Sequence, residues 1–315
     1  MFTIQTAVTI VTAGLASSLF GITENMVVWS LIITIMCYII LLLGKYQILD
    51  KMIKVIILIL AISTIFSTGV ASINTDEIYS FKQIFPSGSG LVFLVAFMGW
   101  MPAPLDISIW HSIWTLEKKK SQKITAKESL FDFNVGYLAT VILGICFVSL
   151  GALVMYNSGI SFSNSGSIFA GQLIDLYTSN LGDSFYFIIS ICAFTTMLST
   201  TITCLDASPR TMSRATQLLT KNNDKNYYFH WISALAIGTM LIFYFLLSEM
   251  GALVELATVL SFITAPFYAI LNYKLIMSDN MPKSHKPSKN LRILSIIGIF
   301  FLSFFALGYI LTRFI

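Results

Sequence analysis

Long apolar runs, each about the length of a bilayer-crossing helix, alternate along this chain with short polar loops. An α-helix rises about 1.5 Å per residue, so about 20 apolar residues cross a hydrocarbon core of about 30 Å. The runs predict spans near 3–21, 26–44, 52–73, 89–115, 131–155, 184–205, 228–247, 250–276 and 292–314. Within lipid every backbone N–H and C=O needs an internal partner, which makes helices the expected form. The predicted fold class is an all-α integral membrane protein with nine transmembrane helices, one for each of these runs. The first run has no positive charge ahead of it, unlike a secretory leader, and reads as a span already in progress. The longest outer loop, 156–183, carries Ile168, Phe169, Leu173 and Leu176 at helical spacing, which predicts a short helix lying along the outer surface.

The charged residues agree with this spacing. Every lysine and arginine except Lys82 and Arg313 falls in four alternate loops, 45–54, 116–128, 206–227 and 274–292. Basic residues gather on the cytoplasmic side of membrane proteins. The alternation therefore places the N-terminus in the cytoplasm and the C-terminus outside, in a multi-pass protein of the cell (inner) membrane. The chain is 56% hydrophobic and only 11% charged. A soluble domain is roughly 25% charged, so a water-facing surface is excluded. The net charge of +4 is split among loops, which gives no basic stripe for nucleic acid. Cys37, Cys146, Cys192 and Cys204 lie in or beside apolar runs without a CxxC pair and read as small buried hydrophobes. No nucleotide loop, zinc motif or nucleophile triad occurs, so neither a cofactor nor an enzyme activity is expected.

Four features interrupt the apolar background. The fourth span reads FMGWMPAPLDISIWHSIW, with Pro102 and Pro104 in mid-membrane behind Gly99. A proline lacks the helical N–H and crowds the carbonyl four residues back, so two of them spaced by one residue break the helix. Broken helices at the midplane are how many secondary transporters build substrate sites. Asp106 follows the break, as a cation ligand, a proton carrier or the cap of the restarted half-helix. His111, five residues on, is a candidate for titration near neutral pH or a hydrogen-bonded structural histidine. In the sixth span, Thr196, Ser199, Thr203 and Asp206 recur at i, i+3, i+7 and i+10. That stripe suits close helix packing or a polar wall of a transport path ending at Asp206. Glu255 sits near the outer end of the eighth span, where it serves transport or reaches headgroups, and Pro266 kinks the lower half of that span. Asp132 and Asn134 begin the fifth span and read as caps. A weaker stripe, Gln5, Thr9 and Thr12, runs along the first span and reads mainly as packing.

The stretches FTIQTAVTIVTAGLAS, MGWMPAPLDISIWHS, FDFNVGYLAT, TTMLSTTITCLDASPR and VELATVLSFITAPFYAILNY together resemble the Nramp family of divalent metal transporters, in a divergent bacterial branch. The resemblance implies a LeuT-like fold of two inverted five-helix repeats plus further helices. On that pattern residues 1–73 are the remainder of the first repeat, 89–276 the second repeat and 292–314 an extra helix, all in one transmembrane domain. The first two helices of the pattern, with their Asp-Pro-Gly-Asn motif, are not in this sequence. The family's Met-Pro-His of the sixth helix stands here as Met101-Pro102-Ala103. The family's third helix usually carries acidic residues linked to proton movement, and the first span here has none. The implied function is a secondary transporter importing manganese or iron by alternating access, with protons as a candidate symported ion. The bilayer and the divalent cation are its partners, and the metal is substrate rather than cofactor. Candidate metal residues are Met101, Ala103 and Asp106. Candidate path residues are Pro102, Pro104, His111, Thr196, Ser199, Thr203, Asp206 and Glu255. Two other readings stand beside it: an inactive or partner-requiring membrane fragment, and a LeuT-like carrier of an organic solute.

Overall fold

A computed structural model of the chain describes residues 1–43, 46–74, 84–101, 103–105, 107–121, 123–156, 163, 166–222, 224–246 and 250–314. Its regular elements are helices: α1 (Phe2–Phe20), α2 (Met26–Leu42), α3 (Tyr46–Ile73), α4 (Ser89–Trp100), α5 (Ile107–Ser121), α6 (Ala126–Leu150), α7 (Gly166–Leu181), α8 (Tyr186–Thr220), α9 (Tyr228–Leu246), α10 (Met250–Met277) and α11 (Lys289–Phe314). Among the described residues six helical stretches are long and apolar enough to cross a membrane, and Met26–Leu42, Ile57–Ile73 and Gly90–Trp100 are shorter apolar ones. Each lies on one of the runs read from the sequence. The outward side chains are large and apolar, as lipid requires; Phe300 and Phe304 of α11 are 72% and 75% exposed. The molecule has the all-helical build of an integral membrane transporter.

The chain divides into two compact units, Met1–Phe81 with Ile113–Val254, and Lys82–Ser112 with Glu255–Ile315. The first is built around α1, which packs on α2, α7, α8 and α9. Lipid is as apolar as leucine, so burying apolar surface gives little drive between helices in a membrane, and small residues that let backbones approach supply the packing. The buried surface of α1 is accordingly alanine, glycine, serine and threonine as much as isoleucine and leucine. Ala13 and Ala16 meet Trp29, Ile33, Ile202, Leu205 and Leu235. The helix ends at Gly21, whose left-handed backbone (φ 62°) aims its N–H at the Ser17 carbonyl, 3.0 Å away. Asn25 then caps α2, its side-chain oxygen accepting from the N–H groups of Val27 and Val28. In the second unit Val95 of α4, Phe262 of α10, and Ala306 and Tyr309 of α11 form the core.

Three expectations change. The outer-loop helix exists as α7, but its Ala170, Ile174 and Tyr177 are buried with Leu15 of α1 and Ile189 of α8. Ile168, expected on the apolar face, is 57% exposed. Ala170 has no bulk beyond Cβ, so the helix sinks into the bundle instead of lying on its surface. The sixth span does not end near 205: α8 continues through Pro209 to Thr220. Asp132 and Asn134 do not cap the helix of the fifth span, α6, which starts at Ala126. Thr125 caps α6 with a reciprocal box, its hydroxyl accepting the Glu128 N–H while the Glu128 carboxylate accepts the Thr125 N–H at 2.8 Å. Both expected caps are exposed residues a turn or more inside the helix.

Candidate functional site

The helix that the sequence expects to break does so. α4 stops at Trp100, and Met101 is extended (φ −110°, ψ 123°), its N–H still donating to the Phe97 carbonyl at 2.9 Å. Helix resumes at Ile107, whose N–H donates to the Pro104 carbonyl at 3.1 Å. The Ser108 hydroxyl donates to the Leu105 carbonyl at 2.8 Å. Met101, Ala103, Pro104 and Leu105 are partly buried along this unwound segment. Pro102 and Asp106 lie outside the described residues. Two prolines cannot supply N–H groups, so unwound chain here is what their chemistry dictates.

α10 runs past both half-helices and holds them. At Gly99 the approach is so close that a Cβ would land on the carbonyl oxygen of Thr258 and lie 2.9 Å from its carbonyl carbon. The Trp100 indole N–H donates to the Ser261 hydroxyl at 3.0 Å. Beyond the break, the Asn272 amide donates to the Ser108 hydroxyl at 3.0 Å. Ser261 and Asn272 are separated by about 16 Å of helix at 1.5 Å per residue. Pro266, inside α10, sits between the two contacts and removes the N–H that would bond the Phe262 carbonyl. Thus one continuous helix meets the two ends of a discontinuous one, and its Pro266 falls in the same interval as the break.

In the first unit, Asp206 is buried and fully engaged. Its Oδ2 accepts the Arg210 Nε–H at 2.7 Å and the Trp114 indole N–H at 3.1 Å. Its Oδ1 accepts the Tyr228 hydroxyl at 2.6 Å. Arg210 also lies 3.9 Å from Glu117 and 5.0 Å from the centre of the Tyr228 ring. A buried carboxylate is costly unless paired and hydrogen-bonded, and here one cation and two neutral donors meet that need. The network joins α5, α8 and the first turn of α9.

The other expected residues are spread out. Thr196, Ser199 and Thr203 are half-buried on α8, and the Thr196 hydroxyl oxygen is buried without a hydrogen-bond partner. Thr201, between them in sequence, is fully buried and meets α1. His111 is partly exposed on α5, and Glu255 is exposed on α10. Trp114, Arg210, Tyr228, Thr201 and Ser261 were not legible as a set in the sequence. The i, i+4 pair Asp206–Arg210 and the polar stripe of α1 were the available signals for two of them. Among the described residues no three His, Cys, Asp or Glu side chains cluster as a metal site. None of the four cysteines is in a disulfide; Cys37, Cys192 and Cys204 are buried.

Comparison with known proteins agrees with this layout. The chain is 34% identical over 278 residues to an uncharacterized protein of Pasteurella multocida (strain Pm70), an alignment covering 86% of this chain and 63% of that relative. The chain therefore spans less than two thirds of the length of the relative it matches. The family pattern described as natural resistance-associated macrophage protein-like (Nramp) matches residues 1–312. With that match over nearly its whole length, and with the helical bundle and broken helix described above, the chain belongs to the Nramp family.

Proposed function

We propose that this chain moves a divalent metal cation, manganese or iron, into the cell by alternating access, and that Met101, Ala103 and Asp106, between α4 and α5, hold the metal. The supporting observation is the stop of α4 at Trp100, the extended backbone of Met101 and the restart of helix at Ile107. Unwound chain at membrane depth persists where it faces protein or a polar cavity, and its carbonyl groups can then receive a cation. Met101 contributes a soft thioether that favours transition metals over calcium and magnesium. Ala103 contributes its backbone carbonyl, and Asp106 a carboxylate that neutralises positive charge. In the same reading the N-terminus is cytoplasmic and the C-terminus outside, which the distribution of basic loops supports.

The test is manganese uptake by liposomes containing the full chain. Asp106→Ala abolishes uptake, and Met101→Ala lowers manganese relative to calcium uptake about tenfold, the equivalent of about 1.4 kcal/mol. Undiminished uptake in Asp106→Ala removes that residue from the site. Stabilisation against heat by amino acids, with no response to metals, would replace the reading by that of an organic-solute carrier.

A further inference from the structure

A fully buried polar cluster lies in the seam between α1 and α8. Gln5, Thr9 and Thr12 occupy one face of α1 and are 0% exposed, as is Thr201 opposite them on α8. The Thr12 and Thr201 hydroxyls are 2.8 Å apart and share a hydrogen bond. Thr12 Oγ1 lies 2.7 Å from the Val8 carbonyl oxygen, and Thr201 Oγ1 lies 3.4 Å from it. The Thr9 hydroxyl donates to the Gln5 carbonyl at 2.7 Å. The Gln5 amide nitrogen donates to Thr9 Oγ1 at 3.1 Å and to the Thr201 carbonyl at 3.4 Å. These contacts set the orientation of the amide, because turning it over would press Oε1 against the Thr201 carbonyl oxygen. Gln5 Oε1 is thereby buried with no hydrogen-bond donor. Native proteins rarely leave a buried amide oxygen so.

We infer that this seam is a binding site for a single monovalent cation of the sodium class, received by Gln5 Oε1 together with the Thr9, Thr12 and Thr201 hydroxyl oxygens and the Val8 carbonyl. The donor set selects the ligand. Every atom is a neutral oxygen, with no sulfur, imidazole or carboxylate to favour a transition metal or a bare divalent ion. The solvation lost on burial grows as the square of the charge, so a divalent ion loses about four times what a monovalent one does, and this seam offers no anion in return. A proton has no carrier here, since α1 contains no ionisable side chain. An oxygen with open lone pairs is what a cation needs and a proton donor does not supply.

Occupation would tie α1 to α8, the two helices at the centre of the first unit, and would make the ion a candidate driving ion in place of protons. That coupling role rests on the transport reading above; the binding does not.

The test is the thermal midpoint of the purified full chain in detergent, with sodium chloride titrated against choline chloride at constant ionic strength. The midpoint rises saturably with sodium and not with choline. Gln5→Leu raises the half-saturating sodium concentration at least tenfold, and Thr12→Val does so independently should the first variant fail to fold. Equal responses to sodium and choline, or an unchanged sodium response in both variants, overturn the site and leave the seam to buried water. Manganese uptake by liposomes separates the two proposals. Sodium stabilisation without uptake defeats only the transport reading, and uptake without sodium stabilisation defeats only this one.

Discussion

Replacing Gly99 by alanine adds one methyl group at a close approach between α4 and α10. The new Cβ would fall on the Thr258 carbonyl oxygen, 2.9 Å from the carbonyl carbon and 3.3 Å from the Phe262 Cβ. The first two are backbone atoms of a helix and cannot swivel aside. Ordinary contact begins near 3.4 Å, so the carbonyl carbon alone requires about 0.5 Å of retreat and the oxygen more. Overpacking of this kind costs about 1–3 kcal/mol. The same displacement pulls the Trp100 indole from Ser261 and moves Met101, the next residue, relative to the rest of the unwound segment. The expected result is a lower thermal midpoint of the purified protein together with at least a tenfold weaker apparent affinity for manganese in liposome uptake. Gly298→Ala on α11 is the control, because nothing lies within 4 Å of a Cβ there. If Gly99→Ala matches Gly298→Ala in both assays, α10 does not hold the broken helix in the way described.

Tyr228→Phe removes the 2.6 Å hydrogen bond to Asp206 while keeping the ring under Arg210. A hydrogen bond to a charged group contributes about 1.5–3 kcal/mol, so chemical denaturation shows a loss in that range, and an unchanged midpoint would mean that water replaces the phenol. Thr125→Ala breaks the capping box of α6 and costs about 1 kcal/mol, read as a lower midpoint, with Thr125→Ser restoring it.

The membrane class, the positions of the apolar helices and the break between Trp100 and Ile107 were all legible in the sequence. Each rests on a local property of the chain: the length of an apolar run, or a proline that has no N–H to give. The Thr125–Glu128 box was also present in the sequence, four residues that satisfy their own backbone groups whatever the rest of the protein does. Partnership was different. Only packing decided that Asp206 takes donors from Trp114, Arg210 and Tyr228, drawn from three helices, because residues distant along the chain become neighbours through helix crossing and not through spacing. The sixth-span stripe was sound as a pattern, yet its period could not say which hydroxyls turn inward, and Thr201 does so from just beside it. The α1 stripe reads as packing until the structure sets Gln5 against the Thr201 carbonyl and leaves one amide oxygen buried without a donor. Periodicity reports which residues share a face; the tertiary structure alone decides what that face meets, since hydrogen bonds between helices depend on separations of a few tenths of an ångström that no one-dimensional pattern contains.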